Sequence, residues 1–394
     1  MGGKMKKNIP TIVITEIPNL WSYFQYFLLA LYTLEKKGKI KLKFKTDLAF
    51  NLSRTLPYCS LCVAIVDKIK KISSKPGYNL RGYISIGKKR RKFCIDVADT
   101  PYIFDINDLN EVGCYFKMQC PKELKRDGFY LTDSVYIPYQ SHQKRDDGTR
   151  IEIPDINSYA SKIFPLMVGF RRLSLKNSYK EIKKGYDNYC NSQFEWPRKK
   201  AMCYFGNAQG PRPNKNVIVP DVNNESDLMG YYTELNHPNE KRQIVADILN
   251  SLGPNYDARI ISEGNADSDA KKREDLIVPI EKFCQHVAKF QYNINVSGYR
   301  KSIPNRFVES FIVGTAIFTD KLSLKWYKPF DKEVSETIEM GYEKNDSINW
   351  EKVKNDIINL PEIKKEVVIE AFNSKWAPDP LGDYILKTLL ESLN

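Results

Sequence analysis

The spacing of apolar positions alternates along the chain between a period of two and a period near 3.6. Residues 12–15 form a β-branched run after Pro10, residues 20–37 carry apolar side chains at helical spacing, and residues 40–44 alternate apolar residues with lysine. These patterns predict a strand, a helix that ends at Gly38, and a second strand. An opening of this kind favours a parallel α/β sheet.

The same alternation continues beyond the first hundred residues. Further strands are predicted at residues 92–97, 134–137, 201–206, 258–262, 290–296 and 315–319, and helices at residues 178–190, 241–252, 280–288 and 305–314. Beyond residue 345 the pattern is helical, with breaks expected at Pro361 and at Pro378 and Pro380.

A change of composition divides this alternation near Pro197, which is followed by three basic residues. We therefore predict one α/β unit over residues 1–197, a second over residues 198–365, and C-terminal helices over residues 366–394. Two domains also suit 394 residues, since domains commonly span about 100–200 residues.

Composition narrows the class of protein. Hydrophobic residues make up 42% of the chain, which is enough for packed cores, and no stretch approaches the roughly 20 apolar residues that cross a bilayer. A signal-peptide pattern is also missing from the N-terminus. The eight cysteines and three histidines are scattered without metal-ligand spacing. We expect a cytoplasmic protein with reduced thiols, no metal site and no cofactor.

The formal net charge of +13 favours anionic partners. The densest basic run, K-K-R-R-K at residues 88–92, is interpreted as a solvated loop or sheet edge, with peripheral contact to an anionic membrane as the alternative. It is not accompanied by an RNA- or DNA-binding motif, so nucleic acid is not an expected partner.

The most informative segment is S-I-P-N-R-F-V-E-S-F-I-V-G-T-A-I-F at residues 302–318. Ser302 or Asn305 is expected to cap the helix, whose free N–H groups favour an anion. Arg306 can bind a phosphate through its guanidinium, and Glu309, on the same helix face, can accept hydrogen bonds from a ribose diol. The combination fits a nucleoside diphosphate, although an Arg–Glu pair at this spacing is otherwise a common solvated surface pair.

This segment resembles the nucleotide-sugar signature of GT-B glycosyltransferases, in both the retaining group 1-like enzymes and the exostosin-like family. Their R-F-x-E-A-x-x-x-G-x-P-V-I pattern is matched by Arg306, Phe307, Glu309 and Gly314, with Ser310 at the small-residue position and Ala316 in place of the proline. The resemblance is specific over this segment and supportive over the C-terminal half. It implies that Glu309 binds the ribose and Arg306 the diphosphate of a nucleotide sugar.

Two other segments agree with a donor site in the C-terminal half. Y-F-G-N at residues 204–207 resembles the first strand and glycine turn of the exostosin-like donor domain, which points to Gly206 and Asn207. Ser262 and Glu263 follow a predicted strand, and ligands of open α/β sheets lie at the carboxyl ends of strands. Each segment is otherwise an ordinary strand-to-loop turn.

The N-terminal half is more weakly similar to exostosin-like bacterial sequences, in D-V-A-D-T-P at residues 96–101 and Y-F-K-M-Q at residues 115–119. Asp99 follows a strand and precedes a proline turn, so it can act as general base toward an acceptor hydroxyl or simply cap the turn. Glu16, directly after the first strand, and His142 are the other base candidates.

Two further charged positions bear on the site. Lys117 can meet a phosphate or a carboxylate in a cleft, or lie on the surface. D-S-D at residues 267–269 fits the metal-binding D-x-D motif of the other major glycosyltransferase fold, but it lies in a polar loop and is interpreted as chance.

The resemblance implies an α/β fold of the GT-B type, with two Rossmann-like domains facing each other across a cleft. Residues 366–394 would return to the N-terminal domain, and the linker near residue 197 would act as hinge. The N-terminal domain would bind a glycan acceptor and the C-terminal domain a nucleotide-sugar donor, without metal. The alternatives are a GT-B-fold nucleotide-sugar epimerase or hydrolase, and a non-catalytic protein that binds through its basic surface.

Overall fold

Two separate β-sheets organise the chain, one from each half of the sequence. The computed structural model describes residues 9–18, 23–55, 65, 79–98, 106–122, 124–125, 128–130, 136–137, 159–171, 173–195, 197–205, 238–260, 280–297, 302–322, 324–331, 334–337 and 348–394. Among the helices of these residues, none is long and apolar enough to cross a membrane.

The secondary structure alternates as the sequence pattern predicts. The strands are β1 (Thr11–Glu16), β2 (Lys41–Phe44), β3 (Asn79–Ile86), β4 (Lys89–Asp96), β5 (Cys114–Lys117), β6 (Cys120–Pro121), β7 (Leu124–Lys125), β8 (Gly128–Tyr130), β9 (Tyr136–Ile137), β10 (Ile163–Pro165), β11 (Lys199–Phe205), β12 (Tyr256–Ile260), β13 (Phe290–Asn295), β14 (Ala316–Thr319), β15 (Leu324–Lys325) and β16 (Ser335–Thr337). The helices are α1 (Phe24–Lys36), α2 (Leu48–Thr55), α3 (Ile106–Glu111), α4 (Tyr179–Cys190), α5 (Pro238–Ser251), α6 (Ile280–Val287), α7 (Arg306–Phe311), α8 (Trp350–Ile358), α9 (Lys365–Lys375) and α10 (Pro378–Glu391).

The first sheet has the order β10-β5-β4-β3-β1-β2. β1 and β2 are parallel and joined through α1, which confirms the predicted strand–helix–strand opening. β3 is antiparallel to both β1 and β4 and was not predicted, because Arg81 and Gly82 interrupt its apolar alternation. The basic run begins β4, where residues 89–92 pair with β3 alone because pairing with β5 starts at Phe93. Its lysines and arginines are exposed, which agrees with a solvated sheet edge.

The second sheet has the order β12-β11-β13-β14-β16, and all neighbouring strands are parallel. The chain leaves β11 toward β12 on one side and returns to β13 on the other. β11 and β13 therefore flank a topological switch point, where ligands of open α/β sheets bind. This mixed α/β architecture with parallel sheets confirms the predicted α/β fold class.

The two halves contact each other at several places. β6 pairs antiparallel with β15, and α10 packs against α1. The hydroxyl of Tyr26 on α1 donates a 2.6 Å hydrogen bond to the carbonyl oxygen of Trp376. α9 ends at Lys375 and α10 begins at Pro378, which confirms the predicted break at Pro378. Pro380 lies inside the first turn of α10, where proline is tolerated, so no break occurs there. The boundaries at residues 197 and 365 stay predictions.

Candidate functional site

The carboxyl ends of β11, β13 and β14 share one edge of the second sheet, because these strands are parallel. Arg242 on α5 reaches the end of β13, where its Nε and Nη2 donate to the carbonyl oxygen of Val296 over 3.4 and 3.3 Å. α7, the next described helix after β13 in the chain, carries Arg306 and Glu309. The predicted donor helix therefore adjoins the switch point.

Glu309 is fully buried on α7. Its Oε1 accepts a 2.8 Å hydrogen bond from Nδ2 of Asn305 and lies 3.5 Å from Nε of Arg171. Its Oε2 has no hydrogen-bond partner among the residues that the structure describes. Burial raises the pKa of Glu309, while the charges of Arg171 and Arg306 and the hydrogen bond from Asn305 oppose that rise. The carboxylate thus retains an acceptor oxygen for a further donor.

Arg306, beside this carboxylate, is influenced by the charges of two other arginines. Burial lowers the pKa of Arg306 to about 10, and the positive charges of Arg242 and Arg171 contribute in the same direction. Glu309 opposes this shift with a single negative charge. Arg171 and Arg306 act on the single carboxylate of Glu309 and Arg242 acts on Arg306, so positive charge is in excess here, which is suited to binding a phosphate.

The loop before α7 is fixed by the N-terminal half. The side chain of Gln119, just after β5, donates from Nε2 to the carbonyl oxygen of Ile303 over 2.9 Å and accepts from its N–H at Oε1 over 3.0 Å. Both residues are fully buried. On the other face of α7, the rings of Phe307 and Phe311 pack against Trp326, Phe330 and Trp376. The position of Glu309 is therefore set by contacts from both halves.

The helix is shorter than the sequence predicted. Asn305 is already helical, with φ −60° and ψ −19°, and makes no capping hydrogen bond. The prediction that Asn305 caps the helix is wrong, because its amide binds the carboxylate of Glu309 instead. Ser302 lies partly buried in the preceding loop. Gly314, at φ +81°, ends the helical segment as predicted. Because α7 has only 6 residues, we do not assign anion binding to its N-terminus. Binding of an anion would depend on the arginine side chains.

Several predicted site residues lie outside the described residues: Asp99, His142, Gly206, Asn207, Ser262 and Glu263. Their roles stay predictions. The described strands that precede the last four, β11 and β12, end at Phe205 and Ile260. D-S-D at residues 267–269 also lies outside the described residues.

Glu16, the base candidate that the structure does describe, ends β1 and is half exposed. Its Oε1 lies 2.5 Å from Nη1 of Arg81, whose Nε and Nη2 donate to Asp108 over 2.5 and 2.7 Å. These charge-assisted hydrogen bonds raise the pKa of Arg81. The structure places Glu16 in an ion-pair network of the first sheet.

A polar cluster is buried at the carboxyl ends of β4 and β5. Oδ2 of Asp96 accepts from the hydroxyl of Tyr115 over 2.7 Å and from Nζ of Lys117 over 2.8 Å. Oδ1 accepts from the N–H of Ala98 over 2.9 Å. Lys117 is thus not a surface residue: the carboxylate that it meets is Asp96, and both are buried.

Sequence reasoning missed two of the three arginines of the site. Arg242 lies in the helix predicted at residues 241–252, and a basic residue near the start of that helix was the available signal. Arg171 lies between β10 and α4 and reaches Glu309 through the contact between the halves, for which the local sequence carries no pattern. Among the described residues, no group of three or more His, Cys, Asp or Glu side chains could hold a metal ion.

Comparison with known proteins finds similarity only in solved structures. The sequence matches no protein-family model and no curated protein sequence. An α1,3-fucosyltransferase is similar over 100% of this chain and 93% of its own, at 12% identity and a TM-score of 0.32. TarM is similar over 98% of this chain and 99% of its own, at 9% identity and a TM-score of 0.36. The pneumococcal O-GlcNAc transferase GtfA, in complex with UDP and GlcNAc, gives the same coverages, identity and TM-score as TarM. At these TM-scores the function has to be argued from the site itself.

Proposed function

We propose that the chain is a glycosyltransferase of the GT-B type that transfers a sugar from a nucleotide-diphosphate donor to a hydroxyl of a glycan. The observation that carries this proposal is the environment of Glu309. It is a fully buried carboxylate with one oxygen unpartnered among the described residues, on which the charges of Arg171 and Arg306 act, while Arg242 acts in turn on Arg306. A ribose diol would donate to Oε2, and a diphosphate would accept from the arginines.

The location of this cluster supports the same ligand. It lies at the switch point of a parallel sheet, which is where α/β folds bind nucleotides. Because Glu309 is fully buried, a ribose hydroxyl reaches Oε2 only through a local opening of the site, as in enzymes that close around their substrate. Donor binding would therefore be linked to a conformational step.

In the proposed reaction an acceptor hydroxyl oxygen bonds to the anomeric carbon of the donor sugar. The bond from that carbon to the diphosphate oxygen breaks, and the hydroxyl proton passes to a base. The nucleoside diphosphate leaves with additional negative charge, which Arg306 and Arg242 would stabilise. These fixed cations can do this without a metal ion, so we propose a metal-independent reaction.

For the base we retain Asp99, with Glu16 and His142 as the other candidates. Asp99 follows Ala98, whose N–H is held by the buried carboxylate of Asp96. The structure thereby fixes the backbone just before Asp99. The acceptor would bind to the N-terminal half, within residues 1–197, and the donor to residues 198–365.

Product analysis with a panel of UDP-, GDP-, CDP- and ADP-sugars tests this function. We expect one donor to give a glycosylated product when glycan acceptors are present, and Glu309→Gln to abolish most of that turnover. Release of free sugar or an epimerised sugar without acceptor would instead support the epimerase or hydrolase alternative. If no donor is consumed or bound, the glycosyltransferase proposal is wrong.

A further inference from the structure

Arg171 is the one described cation beside Glu309 that comes from the N-terminal half. It follows β10 and is presented by a segment that packs on α1. Immediately before it, the ring of Phe170 is fully buried against the rings of Tyr26, Tyr186 and Tyr189. The backbone that carries Arg171 is therefore anchored in the core of the first half.

The residues after Arg171 are held as firmly. Gln25 on α1, which is buried, accepts at Oε1 from the N–H groups of Leu173 and Ser174 over 2.9 and 3.1 Å. Its Nε2 donates to the carbonyl oxygen of Ser174 over 2.8 Å. A side chain placed on such a rigid support is preorganised for binding.

The guanidinium of Arg171 does not form a short hydrogen bond with Glu309. Its Nε lies 3.5 Å from Oε1, whereas a charge-assisted hydrogen bond is about 2.7–2.9 Å long. The side chain is 49% exposed, while Glu309 is fully buried. Arg171 is therefore accessible to solvent while it lies beside the carboxylate. The position also suits a ligand that lies between Arg171 and Arg306.

We propose that Arg171 is a further donor-binding residue, whose guanidinium binds the diphosphate of the nucleotide whose ribose Glu309 binds. This inference rests on the proposed function and extends it. The donor would then contact both halves of the chain: Arg242, Arg306 and Glu309 from the second, and Arg171 from the first. Donor binding would stabilise the contact between the halves, and loss of the diphosphate would weaken it.

A role limited to neutralising Glu309 makes a different prediction. If Arg171 acted only on the carboxylate, its removal would affect a nucleoside and its diphosphate equally, because both carry the ribose. If Arg171 binds the diphosphate, its removal would affect the diphosphate alone. The ratio of the two dissociation constants separates the two roles.

The experiment measures binding of UDP, GDP, CDP and ADP and of the corresponding nucleosides by calorimetry. The proteins are the full chain and its Arg171→Gln, Arg171→Lys and Arg90→Gln variants. Arg90 lies on β4 and stacks over the ring of Tyr83 on β3. Its substitution is the matched control because it removes the same charge from the same half of the chain. Thermal unfolding of each variant shows whether it is folded. Arg171→Lys retains the positive charge, so it can be used if Arg171→Gln is too unstable to measure.

We expect Arg171→Gln to reduce the preference for diphosphate over nucleoside by about tenfold or more, and Arg171→Lys to reduce it less, since lysine lacks the guanidinium fork. Arg90→Gln should leave the preference unchanged. An unchanged preference in both Arg171 variants, with a diphosphate still bound by the unmodified chain, overturns this inference and leaves the proposed function standing. No diphosphate binding by the unmodified chain overturns both.

Discussion

Asp96 of the first half and Glu309 of the second are both buried carboxylates near the carboxyl end of a sheet, but they are satisfied differently. Asp96 accepts three hydrogen bonds, from Tyr115, Lys117 and the N–H of Ala98, all at 2.7–2.9 Å. Glu309 accepts one, from Asn305, and Nε of Arg171 lies 3.5 Å from its Oε1. Both carboxylates are fully buried.

The contrast separates a structural charge from a binding charge. A buried carboxylate with all its partners in place holds a fold together, and removing one partner is costly. A buried carboxylate with an unpartnered oxygen carries a desolvation cost that a ligand can offset. Asp96 therefore fixes a backbone turn, whereas Glu309 keeps an acceptor oxygen for a ligand.

The largest expected effect concerns the ion pair of the first half. Lys117→Met leaves the charge of Asp96 buried without its cation and should lower the free energy of unfolding by about 3–5 kcal/mol. Arg171→Met, which removes the cation nearest Glu309, should cost about 1 kcal/mol or less, because that side chain is half exposed. Urea denaturation of the two variants measures both values. Equal losses would contradict the contrast drawn between the two carboxylates.

A smaller effect is expected at the contact between the halves. Gln119→Ala leaves the N–H and carbonyl groups of Ile303 buried without these partners, which should cost about 1–3 kcal/mol of stability. Because Ile303 precedes α7, nucleoside diphosphate affinity should fall as well. Gln243→Ala on the exposed face of α5 is the control and should change neither quantity. Thermal unfolding measures the stability, and calorimetry measures the affinity for the nucleoside diphosphate. Unchanged affinity in a folded Gln119→Ala variant would contradict the role of Gln119 in positioning α7.

The smallest effect is the pH dependence of stability that Glu309 contributes. Its folded-state pKa lies above the ordinary value of 4.5, so the folded chain binds more protons than the unfolded chain between the two values. The free energy of unfolding from this group therefore falls as pH rises through that window, by at most about 1.4 kcal/mol per pH unit. Glu309→Gln should remove this contribution. A pH profile of stability unchanged by the substitution would show that Glu309 does not titrate this way.

Much of the fold follows from local sequence patterns. The helices α1, α4, α5 and α6 and the strands β1, β2, β11, β13 and β14 all lie where apolar spacing predicts them. Glu309 and Arg306 were identified because residues 302–318 combine such a pattern with two charged groups. Local periodicity is sufficient for these features because each depends on residues close together in the chain.

The remaining features depend on contacts between distant residues. The antiparallel insertion of β3 is decided by pairing with β1 and β4, and Arg171 and Gln119 reach the site from the other half of the chain. The sequence predicted that Asn305 caps the helix, but its side-chain amide binds the carboxylate of Glu309, which is buried beside it. None of these contacts has a signature within a short sequence window.

Calorimetric binding of UDP, GDP, CDP and ADP to the full chain and to its Glu309→Gln and Glu111→Gln variants tests the central claim most directly. Glu111 is an exposed carboxylate paired with Lys92, so its substitution controls for the change in charge. We expect one diphosphate to bind the full chain and Glu111→Gln equally, and to bind folded Glu309→Gln about tenfold or more weakly, because the amide nitrogen cannot accept a ribose hydrogen bond. Equal binding by Glu309→Gln, or no binding of any diphosphate to the full chain, would contradict the assignment of Glu309 as the donor-binding carboxylate.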